Sequence, residues 1–176
     1  PLVRNARRLA AENWEGAPVE VDFLGRSVRT TSGHDGEFAV EIPAAPGDPF
    51  PPGPQLVAAS VPGASGRATV LVVPPDAPFL VISDLDDTLA VTNVASVRGT
   101  LRAVFLQDAE SQPAVPGMAA FLRCLREGRA APPPFAIVSG TPIQLAPRVA
   151  RFLAANGFPL AALHLPIHAL QYLQPL

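Results

Sequence analysis

The alternation of apolar and polar residues changes rhythm once along the chain. Over residues 1–75 the period is two. "PVEVDFL" (18–24) and "EFAVEIP" (37–43) put apolar side chains at every second position, the pattern of half-buried strands. Between them "TTSGHDGEF" supplies Gly33, Asp35 and Gly36, which predicts a hairpin joining the two. "QLVAASVPG" and "GRATVLVVP" predict two more strands, and the proline-rich "PAAPGDPFPPGPQ" (43–55) a surface loop. Short antiparallel strands at this spacing predict a small β-sandwich. The opening "RNARRLAAENW" reads as a helical turn or lead-in.

Beyond the proline boundary "PPDAP" (74–78) strands alternate with helices. "FLVISDL" is a strand. "PGMAAFLRCLREG" (116–128) sets Met118, Phe121, Leu122 and Leu125 on one helical face, with a proline before and Gly128 after. "PPPFAIVSG" carries the next strand, Phe135 to Val138. "TPIQLAPRVARFLAANGFP" follows with Leu145, Val149, Phe152 and Leu153 on one stripe and Asn156-Gly157 as its C-cap. "LAALHL" (160–165) predicts a third strand. This order predicts a parallel α/β sheet over 76–176, a second domain after the first at 1–75.

Composition narrows the picture. The 176 residues are 48% hydrophobic and 16% charged, a folding composition. A net charge of −2 argues against a general nucleic-acid binder. All 13 basic residues are arginine, which with abundant Ala, Pro and Gly fits a GC-rich, bacterial genome. The single Cys124 excludes an internal disulfide and reads as a half-buried helix residue, no apolar run is of bilayer length, and a cytoplasmic location is the expectation. Peripheral membrane contact is left open. The first residue is Pro1, so the N-terminus is read as incomplete.

One stretch breaks the folding logic. In "PFLVISDLDDTLAV" (78–91) an apolar strand runs into Asp84, Asp86 and Asp87. Unpaired carboxylates there repel one another and resist desolvation. Ligands of parallel sheets bind outside the carboxyl ends of the strands. Ser139 and Gly140 stand at the corresponding end of the next strand, just before a helix, where a hydroxyl and free N–H groups suit phosphate. Carboxylates facing a phosphate site call for a divalent cation between them, and oxygen ligands that also touch phosphate favour Mg²⁺. The chemistry is metal-assisted phosphoryl transfer. An acidic N-cap at 84–87, an ordinary N-cap at Ser139 and irregular surface histidines at His164 and His168 are the competing structural readings.

"DLDDT" after an apolar strand resembles the first motif of the haloacid dehalogenase superfamily. "VSGTPIQL" with "RFLAANGFP", and "DDTLAVTNV", resemble more narrowly the catalytic domain of the actin-patch-associated phosphatidate phosphatase family. The resemblance implies a partial Rossmann-like haloacid dehalogenase core after the β-sandwich. It implies Asp84 as the nucleophile that forms an aspartyl-phosphate, and Asp86 as the acid/base. Both would ligate Mg²⁺. It implies Ser139 and Gly140 as phosphate-binding residues, and Thr88 as a third, tethering the turn. The substrate would be a phosphomonoester of phosphatidate type. Gly140 and Ile143 replace the family's usual Asn and Trp. No Asp or Glu follows Ser139, and Arg148 and Arg151 lie on the next helix, so the third and fourth superfamily motifs are missing. The chain is accordingly expected to be truncated and impaired. Two alternatives stand beside this reading: a phosphatase for another phosphomonoester, and a dead fragment or pseudoenzyme that acts as a binding module.

Overall fold

The computed structural model describes residues 13–92 and 111–166. Contacts divide the chain into two units, one over Glu12–Pro75 and one that includes everything from Asp76 onward.

In the first unit β1 (Pro18–Phe23), β2 (Arg26–Thr31), β3 (Gly53–Val61) and β4 (Ala64–Val72) form one antiparallel sheet in the order β2-β1-β3-β4. The alternation in β1 buries Val19, Val21 and Phe23. Phe23 meets Phe50 edge-on, ring centroids 4.9 Å apart. The hairpin differs from the one expected. β1 turns at Leu24-Gly25, both left-handed (φ 48° and 79°), as a primed two-residue turn demands. Its partner is β2, whose "RSVRTT" has no apolar alternation because it is an edge strand. Cross-strand pairing holds it instead, with Arg29 opposite Glu20 and their charged ends 3.0 Å apart.

Residues 37–43 alternate but form no strand. Both edges of β1 are already taken, by β2 and β3, so the segment finds no ladder there. The sandwich is corrected with it. Among the described residues of this unit the four strands make a single sheet, and no other strand is formed.

The second unit holds β5 (Val81–Asp84), α1 (Met118–Cys124), β6 (Phe135–Val138), a 3₁₀ turn (Ile143–Leu145), α2 (Ala146–Ala155) and β7 (Ala162–His164). The three strands are parallel, in the order β5-β6-β7. Val81, Phe135, Ile137 and Leu163 join one cluster with Leu122 of α1 and with Val149, Phe152 and Leu153 of α2. Successive strand residues point to opposite faces. Ile82 and Val138, on the other face, are 64% and 50% exposed.

α2 ends as Asn156-Gly157 predicts. The Gly157 N–H reaches the Ala154 carbonyl and the Phe158 N–H the Leu153 carbonyl, a Schellman closure with Gly157 left-handed. Phe158 then packs on Phe152, centroids 5.8 Å apart. α1 is shorter than its periodicity suggests. With seven residues it shows a narrow face, so Met118, Leu122 and Leu125 pack while Phe121 on the flank is 54% exposed. Cys124 is exposed, not half-buried.

Candidate active site

Strand register builds the site. Asp84 lies level with Val138, and Val138 with His164, so the carboxyl ends of β5, β6 and β7 share one rim. The Ser139 N–H donates to the His164 carbonyl at 3.3 Å, which fixes where β6 ends.

The turn after β5 is held by its apolar residues. Leu85, Leu89 and Ala90 are 5%, 0% and 1% exposed. The N–H groups of Leu89 and Ala90 both reach the Leu85 carbonyl at 2.9 Å, and the Asp87 N–H reaches the Ala90 carbonyl at 2.8 Å. With Leu85 turned into the core, its neighbours Asp84 and Asp86 are turned out of it. Asp84 is exposed, and its carboxylate carries no hydrogen bond or ion pair among the described residues. Asp87 is left-handed (φ 57°), and its Oδ1 accepts from the Thr92 N–H at 2.8 Å and the Thr92 hydroxyl at 3.1 Å. The tether expected of Thr88 is therefore made by Asp87 and Thr92. Thr88 is half-buried in the turn, and its hydroxyl makes no hydrogen bond among the described residues.

Two distant segments meet at Asp86. The buried Ser139 Oγ donates to Asp86 Oδ2 at 3.1 Å, across 53 residues of sequence. Ser139 Oγ also accepts the Thr141 N–H at 3.1 Å and lies 3.0 Å from the Thr141 hydroxyl. Burial pushes the Asp86 carboxyl above its ordinary value; the Ser139 bond opposes this, while the charges of Asp84 and Asp87 add to it and the Thr92 hydroxyl lowers it. The half-buried carboxyl is thus biased toward holding a proton. Gly140 is exposed, and a side chain there would meet nothing within 4 Å.

Some expected features move. The helix after Ser139 starts only at Ala146, behind the 3₁₀ turn, so its N-terminus is not at Ser139. Arg148 is buried and on that helix. Thr92 and Thr141 went unremarked in the sequence; the signals were a hydroxyl two residues after Ser139 and one five residues after Asp87. His164 is exposed at the end of β7, and His168 lies outside the described residues.

The donors are all oxygens: two carboxylates, the Ser139 hydroxyl and backbone carbonyls. Magnesium takes one or two carboxylates and fills its remaining positions with water or phosphate oxygens, so the set fits that ion. Among the described residues no group of three or more acidic, histidine or cysteine side chains gathers around one point. No helix among the described residues is long and apolar enough to cross a membrane.

Comparison with known proteins adds a family. Residues 79–172, more than half of the chain, match the model described as "Phosphatidate phosphatase APP1, catalytic domain". No curated protein and no solved structure matches the chain.

Proposed function

The chain belongs to the phosphatidate phosphatase APP1 catalytic-domain family, and from that premise we propose that its second unit is a Mg²⁺-dependent phosphomonoester hydrolase with a haloacid dehalogenase-type core. The observation that carries the reading is the Ser139–Asp86 hydrogen bond, which joins the two strand ends into one site. The first unit, over 12–75, is read as a separate domain.

Asp84 is the nucleophile. Its exposed carboxylate attacks phosphorus while the bond from phosphorus to the substrate's leaving oxygen breaks, giving an aspartyl-phosphate. Asp86 passes a proton to the leaving oxygen, and burial with the charges of two neighbouring carboxylates favours the protonated form that this step needs. The resulting Asp86 carboxylate then takes a proton from water. That water attacks phosphorus, the bond to Asp84 breaks, and inorganic phosphate leaves. Ser139, the Gly140 N–H and Thr88 hold the phosphoryl oxygens. Asp87 acts at one remove, by pinning Thr92 and with it the turn.

Asp84, through its second carboxylate oxygen, and Asp86, through its backbone carbonyl, are the residues that would hold Mg²⁺. Bound there, the ion would supply positive charge that offsets the repulsion of carboxylate and phosphoryl oxygens. Two protein ligands and water would hold it weakly, so turnover is low at ordinary Mg²⁺ concentrations. Phosphatidate is the favoured substrate on family grounds; the site's own residues specify only a phosphomonoester.

The test is phosphate release from phosphatidate in mixed micelles and from an aryl phosphate, with Mg²⁺ or with chelator, wild type against Asp84→Asn. Release from phosphatidate that needs both the metal and Asp84 supports the full reading. Release from the aryl phosphate alone keeps the chemistry and removes the lipid. Equal release by Asp84→Asn ends the proposal.

A further inference from the structure

A serine hydroxyl has one proton and two lone pairs, and Ser139 Oγ uses all three. Its proton goes to Asp86 Oδ2 at 3.1 Å. One lone pair accepts the Thr141 N–H at 3.1 Å. The Thr141 hydroxyl lies 3.0 Å away, and since the Ser139 proton is already given to Asp86, that contact takes the Thr141 proton. Two of the three partners of this buried hydroxyl therefore come from one residue, two positions along the chain.

The local sequence explains why both Thr141 donors are available. Pro142 follows, and a residue before proline is disfavoured in the helical region, so the Thr141 N–H is not drawn into a helix. It closes instead the short turn that a serine side chain makes with the N–H two residues on. Pro142 caps the 3₁₀ turn, its carbonyl accepting the Leu145 N–H at 2.9 Å. The loop is tied at both ends to the chain at and after β7. The Ser139 N–H reaches the His164 carbonyl at 3.3 Å and the Ile143 N–H the Pro166 carbonyl at 2.8 Å. Branching at Cβ leaves the threonine side chain few rotamers, so little freedom is lost in facing Ser139.

Phosphate changes the proton count. Phosphoryl oxygens that carry no proton only accept, so Ser139 can bind one only by donating its single proton, which withdraws it from Asp86. The two Thr141 donors need no rearrangement, because they fill lone pairs. We infer that Thr141 is a positioning residue of this site: its N–H and hydroxyl hold Ser139 Oγ in one place whether the Ser139 proton lies on Asp86 or on a phosphoryl oxygen. Arrival of the phosphoryl group then parts Asp86 from Ser139 without loosening Ser139. This inference rests on the phosphatase reading and deepens it.

The test compares the full chain with Thr141→Val, which removes the hydroxyl but keeps the branched shape and the N–H, and with Thr141→Ser, which keeps the hydroxyl. Release from an aryl phosphate with Mg²⁺ gives KM and kcat, and calorimetric titration with orthovanadate gives a Kd. Thr141→Val should raise KM and the vanadate Kd together by ~3–10-fold, the worth of one hydrogen bond between neutral groups. Its kcat should change by less than ~2-fold, because the phosphoryl group is held alike in substrate and transition state. Thr141→Ser should restore both constants. A threonine that only supports the fold would lower the active fraction, so kcat would fall with KM unchanged. That result, unaltered constants in Thr141→Val, or no recovery in Thr141→Ser overturns this inference alone. On the native chain the Thr141 amide should exchange no faster with Mg²⁺ and vanadate than without them. Faster exchange there overturns the inference even where a variant misfolds. A wild type that neither releases phosphate nor binds vanadate overturns the phosphatase reading, and this inference with it.

Discussion

Ser139→Ala removes one hydroxyl from the join between the β5 turn and the end of β6. The residue is 5% exposed, donates to Asp86 Oδ2 at 3.1 Å and accepts the Thr141 N–H at 3.1 Å. A hydrogen bond to a charged group is worth about 1.5–3 kcal/mol and one between neutral groups about 0.5–1.5 kcal/mol. Asp86 is only half-buried, so the low end, about 1.5 kcal/mol, applies to its ionised form. Stranding the Thr141 N–H adds about 1 kcal/mol. The total at neutral pH is about 2.5 kcal/mol. Once Asp86 is protonated its bond to Ser139 is of the neutral kind, and the penalty falls toward about 1.5 kcal/mol. The penalty is therefore larger above the raised Asp86 pKa than below it, because the variant loses a contact that favours the charged form. Amide exchange of residues 85–90 and 135–138, followed by mass spectrometry at neutral and at acid pH, reads the opening free energy of this unit alone. A penalty under about 0.5 kcal/mol, well below a net hydrogen bond, or one equal at both pH values, would refute the claim that the Ser139–Asp86 bond organises the site.

Asp86→Asn should stabilise the unit at neutral pH and cost ~10²–10⁴ in any phosphate release. The folded pKa of Asp86 lies above its ordinary 3.8, so its favourable contribution is complete below 3.8 and lost as pH rises through the folded value. Asparagine escapes that loss, so the stability gap between variant and wild type should close in acid when unfolding is followed against pH. Phe152→Ala should cost about 3–5 kcal/mol, because the ring is 1% exposed at the centre of the cluster; hydrogen exchange should rise throughout β6 and α2 while β1–β3 are unaffected. Mg²⁺ at ~100 times its dissociation constant should slow exchange over 81–92 by the equivalent of about 2.7 kcal/mol, and Asp84→Asn should abolish the effect without raising exchange in metal-free buffer.

Legibility followed burial. The stripe Leu145, Val149, Phe152 and Leu153 and the cap at Asn156-Gly157 were readable because side-chain period and backbone conformation both leave marks in sequence. That Asp86 and Ser139 would lie close was readable because each follows a strand of one parallel sheet, the first marked by charge that packing does not explain. β2 was not readable: it is an edge strand held by a ladder and by cross-strand pairs such as Glu20–Arg29, neither of which imposes alternation. Residues 37–43 misled for the converse reason. They have the alternation, but β1 has no free edge to pair with. Thr92 and Thr141 escaped because a lone threonine carries no signal until the fold sets it beside a carboxylate or a serine.

The central claim is that Asp84 becomes phosphorylated at a site organised by Asp86 and Ser139. Acid quenching of the full chain with Mg²⁺ and a ³²P-labelled phosphomonoester, followed by proteolysis, tests it most directly. Label should be found on the peptide containing Asp84, should be released by hydroxylamine as an acyl phosphate is, and should be absent in Asp84→Asn. Asp86→Asn should trap any label that forms, because the proton acceptor for hydrolysis is gone. Phosphate release with no label on that peptide, or label that persists in Asp84→Asn, would contradict the account.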